Sequence, residues 1–202
     1  MNFIFDMGNV LVDYKPENYC KDLFHDEVLA EKINDIIFKS PEWLDMDRGL
    51  MTHEEATEVF CKREPKFQAE IRNTMQSYCG MFSKTKNICS TFFIMQDTID
   101  LLPKIKESGH GLYYLSNIHN ETRRYLIDNY GLFDSFDGGV FSCDVHVIKP
   151  YPEIYHHLLN KYQLDPKECI FFDDMEENVT AAEKESIKSV LFTTAECVLD
   201  YL

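Results

Sequence analysis

Short apolar runs that alternate with helical patterns are the feature that most constrains the fold of this chain. Residues 2–5 (NFIF) predict a buried strand, and further strand-like runs lie at 111–117, 140–144, 168–174 and 189–192. Helical patterns between them span 97–107, 121–130, 152–162 and 176–186, with a short helix predicted at the end of the chain. Pro103 falls inside the first of these patterns, so we expect a kink or a late helix start there. Such alternation predicts right-handed βαβ crossovers and an α/β fold, a parallel sheet with helices on both faces.

Residues 15–83 interrupt this alternation, because their patterns are helical and contain no convincing strand. Pro16 is suited to the first turn of a helix. Thr52 followed by Glu55 forms the pattern of a capping box at the start of another helix. We therefore predict an α/β core made of residues 1–14 and 84–202, with a small helical cap of residues 15–83 inserted after the first strand.

The charge and cysteine content of the chain indicate which partners and which cellular compartment to expect. The chain has 20 Lys+Arg against 35 Asp+Glu, a net charge of −15, which disfavours nucleic acid and anionic membranes as partners. No apolar stretch reaches the roughly 18 residues of a membrane helix. The cysteine count is odd, at seven, no CxxC occurs, and Met1 leads straight into the first strand without a signal peptide, so we expect a cytoplasmic location. An anion such as phosphate would need local attraction from a metal ion, a lysine or backbone N–H groups.

Polar residues follow the predicted strands at the ends where ligands bind in parallel sheets. They are Asp6, Ser116, Asn117, Lys149, Asp173 and Asp174. Three crowded carboxylates repel each other unless a cation compensates, and an oxygen-only ligand set favours Mg²⁺. An aspartate in that setting can attack phosphorus and form an aspartyl-phosphate. Each residue alone also fits a turn or a helix cap, so the prediction depends on their order and placement together.

Four segments in order, FDMGNVLVD, LSN, IKP and FFDDMEEN, resemble the motifs of the haloacid dehalogenase (HAD) superfamily. The likeness extends to its bacterial sugar-phosphate phosphatases, the group that includes α-glucose-1-phosphatase. The resemblance implies a Rossmann-like core with an inserted cap and Mg²⁺ as cofactor. It also implies hydrolysis of small phosphorylated metabolites, with sugar phosphates, including sugar 1-phosphates, as the expected substrates.

The resemblance also implies a role for each residue. Asp6 would be the nucleophile and a magnesium ligand, together with the backbone carbonyl of Gly8. Asp174 would be a direct metal ligand, with Asp173 beside it either on the metal or one layer behind. The remaining roles are phosphate binding by Ser116 and Asn117, stabilisation of nucleophile and phosphate by Lys149, and ordering of the last loop by Asn178.

Gly8 is the departure from the family pattern. Most phosphatases of the superfamily carry an aspartate there, which protonates the leaving group and later activates water, although the sugar-phosphatase group shares the glycine. General acid–base catalysis contributes about 10²- to 10⁴-fold. Either the leaving group needs little protonation, as with an anomeric oxygen or a phenol, or another residue, His119 or Asp47, supplies the proton.

The segment EWLDMDRG, 42–49, is the part of the cap expected to face the site. Trp43 is the only tryptophan and is suited to stacking on a sugar face, while Asp47 and Arg48 are suited to binding hydroxyls. The structural alternative is a helix end with Gly49 as its C-terminal residue and Trp43 in the cap core.

Two further functions compete with a phosphatase. A 2-haloacid dehalogenase uses a related carboxylate without a metal, but those enzymes have an aromatic residue in place of Gly8 and lack the acidic pair Asp173–Asp174. A non-catalytic member that binds a phosphometabolite or a protein is supported by Gly8 alone. The sequence predicts neither the physiological substrate and pathway nor the oligomeric state.

Overall fold

The computed structural model describes residues 1–80 and 92–202, so the predicted cap–core boundary at 83–84 and Cys89 lie outside the described residues. Seven strands are described: β1 Asn2–Phe5, β2 Val12–Tyr14, β3 Phe92–Ile94, β4 Gly111–Ser116, β5 Gly138–Phe141, β6 Cys169–Asp173 and β7 Lys188–Leu191. Five of them form a parallel sheet in the order β5-β4-β1-β6-β7. The predicted α/β fold is therefore confirmed, with the first strand at the centre of the sheet.

Twelve α-helices are described. Five precede β3: α1 Pro16–Phe24, α2 Glu27–Ile37, α3 Pro41–Asp47, α4 His53–Arg63 and α5 Gln68–Gly80. Seven follow it: α6 Gln96–Ile99, α7 Leu102–Glu107, α8 Asn120–Tyr130, α9 Ser142–Val145, α10 Pro152–Tyr162, α11 Glu176–Lys184 and α12 Glu196–Leu199. Among the described helices, none is both long and apolar enough to cross a bilayer. Pro103 is the second residue of α7, so the late helix start expected there is confirmed.

Alternate residues of the central strands pack on opposite faces of the sheet. Phe3 and Phe5 belong to one buried cluster, whose members include Leu102 and Ile105 of α7. Ile4 belongs to another cluster, with residues of α10 and α11. Both faces are therefore covered, which explains why these strands are continuous apolar runs in the sequence.

The helical stretch is flanked by the antiparallel pair of β2 and β3, which sequence reasoning missed. Val12 pairs with Ile94, and the backbone N–H of Met95 donates to the carbonyl of Leu11 at 2.9 Å. These pairings bring the two ends of the helical stretch together beside the sheet. The capping box predicted from Thr52 and Glu55 is present at the start of α4. The division into core and cap is consistent with this arrangement and stays a prediction.

The strand predicted at 140–144 was wrong in position. The strand is Gly138–Phe141, and Ser142–Val145 forms the short helix α9. Two adjacent glycines concealed the start of the strand, because glycine disfavours strands. Gly139 is required by close packing, since a Cβ there would lie 2.3 Å from the Tyr114 ring. The five cysteines whose side chains are described, Cys20, Cys61, Cys143, Cys169 and Cys197, are free thiols.

Candidate active site

The loop after β1 presents Asp6 at the carboxyl end of the sheet. The Asp6 backbone N–H donates to the Phe172 carbonyl of the neighbouring strand at 2.9 Å. The chain then turns tightly, because the N–H groups of Leu11 and Val12 both donate to the Met7 carbonyl, at 3.0 and 2.9 Å. Asn9 has φ of 52°, the left-handed conformation that its residue type tolerates. The loop therefore fixes the direction in which the Asp6 carboxylate points.

Lys149 joins two carboxylates at the floor of the site. Its Nζ lies 2.6 Å from Oδ1 of Asp6 and 2.7 Å from Oδ2 of Asp173, and it also donates to the Leu115 carbonyl at 2.9 Å. The Lys149 side chain is 1% exposed. Burial would lower its pKa, but the two carboxylates outweigh that effect and hold the pKa above its usual value. Lys149 is therefore a fixed positive charge in the interior.

Asp173 and Asp174 differ in how far their oxygens are engaged. Asp173 is fully buried and accepts from the backbone N–H of Met175 at 2.9 Å and from Nδ2 of Asn178 at 2.9 and 3.1 Å. Asp174 is only half-buried and accepts from Nδ2 of Asn9 at 2.9 Å. Asp173 therefore holds Lys149 and the loop in place, whereas Asp174 presents an oxygen to the cleft.

The three carboxylates Asp6, Asp173 and Asp174 fit a hard cation. Each offers one oxygen, and these oxygens lie within 4.8 Å of one another. Burial, against the lowering effect of Lys149 and together with repulsion from Asp173 and Asp174, raises the pKa of Asp6 to about 7. Burial also raises the pKa of Asp174. One lysine does not compensate three carboxylates, so this donor set fits a divalent cation such as Mg²⁺.

The phosphate-binding candidates Ser116 and Asn117 lie at the end of β4. Ser116 is buried and lines the site. The Asn117 side chain donates from Nδ2 to the Lys149 carbonyl at 3.0 Å and accepts from the Lys149 backbone N–H at 2.8 Å. Asn117 therefore orients the lysine segment with its side chain, in addition to lining the site.

The helical stretch and the segment after β4 together form a second polar cluster on the opposite side of the site. Oδ1 of Asp47 lies 3.2 Å from Nδ1 of His119, and Nε2 of His119 lies 2.9 Å from Oγ1 of Thr122. That hydroxyl is 3.0 Å from the Tyr78 hydroxyl. The ring of His119 also packs edge-on against Trp43, with centroids 5.0 Å apart. Helices α3, α5 and α8 thus meet at this cluster.

Two adjacent spaces lie between these clusters. An open cleft of about 350 Å³ is lined by residues of both sides, among them Asp6, Asp47, Lys149 and Asp174. A narrower cavity of about 80 Å³ is lined mainly by apolar and aromatic side chains. Gly8, Asp47 and Trp43 line both spaces. The two spaces therefore adjoin each other at Gly8, Asp47 and Trp43.

Trp43 and Arg48 differ in their position relative to the site. Trp43 is 5% exposed and packs against Phe38 and Tyr78, which matches the structural alternative of a cap-core residue. The guanidinium of Arg48 pairs with Asp45 at 3.1 Å and lies over the Tyr151 ring, and Arg48 lines neither the cleft nor the cavity. The structure thus brings together all the predicted residues except Arg48.

Sequence reasoning missed the contacts that four side chains make at the site, those of Asn9, Tyr78, Thr122 and Ser142. The Ser142 hydroxyl donates to the Asp47 carbonyl at 2.5 Å and accepts from the Ile118 backbone N–H at 2.8 Å. Asn9 was considered only for its turn, although its amide also holds Asp174. Contacts between residues so distant in the chain have no local sequence signal.

Comparisons with known proteins agree with this geometry. The model of the haloacid dehalogenase-like hydrolases matches residues 1–184. The sesquiterpene phosphatase astK of Aspergillus oryzae is 27% identical over 180 residues, which cover 89% of this chain and 83% of that protein. The drimenol cyclase drtB of Aspergillus calidoustus is 25% identical over 94% of this chain, which spans 33% of that protein. The HAD family enzyme bt-2542 of Bacteroides thetaiotaomicron, solved in complex with magnesium and inorganic phosphate, superposes with a TM-score of 0.67 at 23% identity, covering 96% of this chain and 94% of its own.

Proposed function

The chain belongs to the haloacid dehalogenase-like hydrolases, and we propose that it is a Mg²⁺-dependent phosphatase that hydrolyses phosphomonoesters through an aspartyl-phosphate on Asp6. The observation that carries the proposal is the buried pairing of Lys149 with Asp6 and Asp173, beside the additional carboxylate of Asp174. The uncompensated negative charge around this buried carboxylate favours binding of a cation, and the cation in turn allows a phosphate to bind. The magnesium complex of bt-2542 and the name of the phosphatase relative support the same reading.

We assign the metal to Asp6, Asp174 and the carbonyl of Gly8. Bound Mg²⁺ would supply the positive charge that allows a phosphate dianion to approach three carboxylates. Asp173 contributes indirectly, because its oxygens are already occupied by Lys149, Asn178 and a backbone N–H. Among the described residues, Oδ1 of Asn178 is buried without a hydrogen-bond partner, which leaves an acceptor for a water molecule at the same rim.

Asp6, Lys149 and Ser116 have separate roles in the proposed reaction. The Asp6 carboxylate attacks phosphorus, and the bond from phosphorus to the leaving oxygen breaks. Lys149 balances the charge of Asp6 and holds its Oδ1, so the other oxygen is directed outward. The Ser116 hydroxyl donates to a phosphate oxygen. Water subsequently cleaves the aspartyl-phosphate, which returns Asp6 and releases inorganic phosphate.

The substrate is a small phosphorylated metabolite, with sugar phosphates as one class. The lining of the narrow cavity favours a leaving group with an apolar part, because Met7, Val12, Tyr78 and Leu126 surround it. The likeness to a sesquiterpene phosphatase supports an apolar ester in the same way. We therefore propose that aryl and isoprenoid phosphates are hydrolysed faster than sugar phosphates.

The two competing functions have less support. A 2-haloacid dehalogenase needs no cation, and the acidic set of Asp6, Asp173 and Asp174 would then be unfavourable. A non-catalytic protein would need neither the aligned nucleophile nor Lys149, and both are present with short contacts.

Phosphate release from p-nitrophenyl phosphate and from panels of isoprenoid and sugar phosphates, with Mg²⁺ and with EDTA, tests the proposal. Activity should require Mg²⁺ and be lost in Asp6→Asn by about 10⁴-fold or more. Asp13→Asn is the matched control, because Asp13 lies on the nearby strand β2, pairs with Lys15 and should keep activity. Absence of release from every substrate by a folded protein that binds Mg²⁺ would favour the binding-only function. Higher rates on sugar phosphates would contradict the proposed substrate class.

A further inference from the structure

The family's usual acid–base position is empty at Gly8, yet a carboxylate from the cap lies at the same cavity. Asp47, the last residue of α3, is 9% exposed and lines both the open cleft and the narrow cavity. Gly8 lines both spaces as well. Asp47 is therefore placed where a leaving group bound next to Asp6 would extend.

His119 fixes the orientation of this carboxylate. It is 2% exposed, and its two ring nitrogens face Asp47 and Thr122, respectively. The ring is further held between Trp43, at 5.0 Å, and Tyr78, at 5.6 Å between centroids. The imidazole therefore has one available direction for Nδ1, towards Oδ1 of Asp47.

The backbone of Asp47 is fixed from the core as well. Its carbonyl accepts from the Ser142 hydroxyl, and the next carbonyl, of Arg48, lies 2.8 Å from Nδ1 of His146. A Cβ on Gly49 would lie 2.5 Å from the Cys143 carbonyl, so the cap approaches the core closely here. These contacts fix a carboxylate of the helical stretch with the precision that proton transfer requires.

We propose that Asp47 is the acid–base residue of this enzyme and that His119 is its positioning residue, so that a dyad shared by cap and core replaces the side chain absent at Gly8. The inference depends on the proposed phosphatase function.

The proton balance over one turnover is closed. As Asp6 attacks phosphorus, the bond to the leaving oxygen breaks and that oxygen takes the proton from Asp47, so the alcohol leaves neutral. Water then attacks the aspartyl-phosphate and gives a proton to Asp47, while the bond between phosphorus and Asp6 breaks. The sum is ester plus water to alcohol plus phosphate, with the dyad restored.

The test compares two substrates of similar shape, p-nitrophenyl phosphate and p-nitrobenzyl phosphate. The phenolate leaves without a proton, whereas the benzyl alcohol needs one. Asp47→Asn should lower kcat/KM for the benzyl ester by about 100-fold or more and for the phenyl ester by less than about 10-fold. The ratio of the two rates is independent of how much enzyme is folded, so partial misfolding does not imitate the result. His119→Gln should lower the same ratio by about 10-fold, in keeping with a positioning role.

Matched variants complete the design. Asp45→Asn changes another acid of the same helix and His156→Gln an exposed histidine of α10, and both should keep the wild-type ratio. Gly8→Asp is sterically allowed, because among the described residues the nearest atom to a Cβ there is that of Tyr14 at 3.9 Å. Added to Asp47→Asn, it should raise the benzyl rate by about 10-fold or more.

The proposal is overturned if Asp47→Asn keeps the wild-type ratio, if Asp45→Asn lowers it equally, or if Gly8→Asp gives no recovery. Failure of the phosphatase function itself has a different signature. In that case the wild type releases no phosphate from p-nitrophenyl phosphate with Mg²⁺, and there is no ratio to compare.

Discussion

The two sides of the cleft differ in the contacts that hold their polar groups in place. On the core side, the charged groups gather at the carboxyl edge of the sheet, where Lys149 is held by short contacts with Asp6, Asp173 and the Leu115 carbonyl. On the cap side, one carboxylate is held by His119 among aromatic rings contributed by distant segments. In the proposed mechanism, the core side determines the reaction at phosphorus, and the side of the predicted cap determines which leaving group is accepted and protonated.

Among the variants that test the core side, Lys149→Met is expected to have the largest effect on stability. This change leaves Asp6 and Asp173 buried without their shared cation, and removing one partner of a buried ion pair costs about 3–5 kcal/mol. The free energy of unfolding, measured by urea denaturation in EDTA, should fall by that amount. Mg²⁺ should restore part of it, because the metal would replace the lost positive charge.

Lys184→Met is the control, since Lys184 lies exposed on α11 and its replacement should change stability by less than about 0.5 kcal/mol. A Lys149→Met protein as stable as the wild type in EDTA would show that the core side is not organised around this charge.

The pH dependence of the metal-free protein probes the same side. The pKa of Asp6 is raised from 3.8 to about 7, chiefly by burial, so the stability it contributes is fully present below about pH 4 and is lost as the pH rises through about 7. Wild-type stability in EDTA should therefore decline across this window relative to Asp6→Asn. His53 acts in the opposite direction, since burial lowers its pKa to about 4, but it is common to both proteins and cancels in the difference. A difference that does not change between pH 4 and pH 7 would contradict the buried, charge-crowded setting of Asp6.

Ser142→Ala tests the hydrogen bonds that link the two sides of the cleft at Asp47. The substitution leaves the buried N–H of Ile118 without its acceptor and the Asp47 carbonyl without its donor. An unsatisfied buried group costs about 1–3 kcal/mol, so the free energy of unfolding should fall within that range. Ser189→Ala is the control, because that hydroxyl bonds only to the nearby Ile187 carbonyl among the described residues. Equal stability of the two variants would mean that the cap is not held to the core at Asp47.

The same contrast explains how much was predictable from the sequence. Most of the core side followed from short patterns, because parallel strands bring their carboxyl ends to one edge, and Asp6 and Asp174 each follow an apolar strand. Lys149 lies in the segment after α9. The cap side depends on pairs such as Tyr78 with Thr122, 44 residues apart, which only tertiary packing brings together. Asp47 and His119 were considered as proton donors, but their direct contact was not predicted.

Local sequence patterns also failed to predict strands that are very short or that begin with glycine. The start of β5 consists of Gly138 and Gly139, and the two strands β2 and β3 have three residues each, too few to show alternation. Their pairing energy comes from neighbours rather than from intrinsic preference. The helices, with longer periods and recognisable caps, were predicted more closely, as at Pro152–Tyr162.

The smallest predicted effect lies in the cap but away from the cleft. Thr52→Ala removes the hydroxyl that accepts from the Glu55 N–H in the capping box of α4, at 3.2 Å, and should lower the free energy of unfolding by about 1 kcal/mol. It should leave the ratio of benzyl to phenyl ester hydrolysis unchanged, because Thr52 contacts neither Asp47 nor His119 among the described residues. Thermal denaturation and the two-substrate assay measure these separately. A changed ratio would show that the leaving-group preference responds to cap stability in general, and the distinction between the two sides of the cleft would then no longer rest on the Asp47–His119 pair.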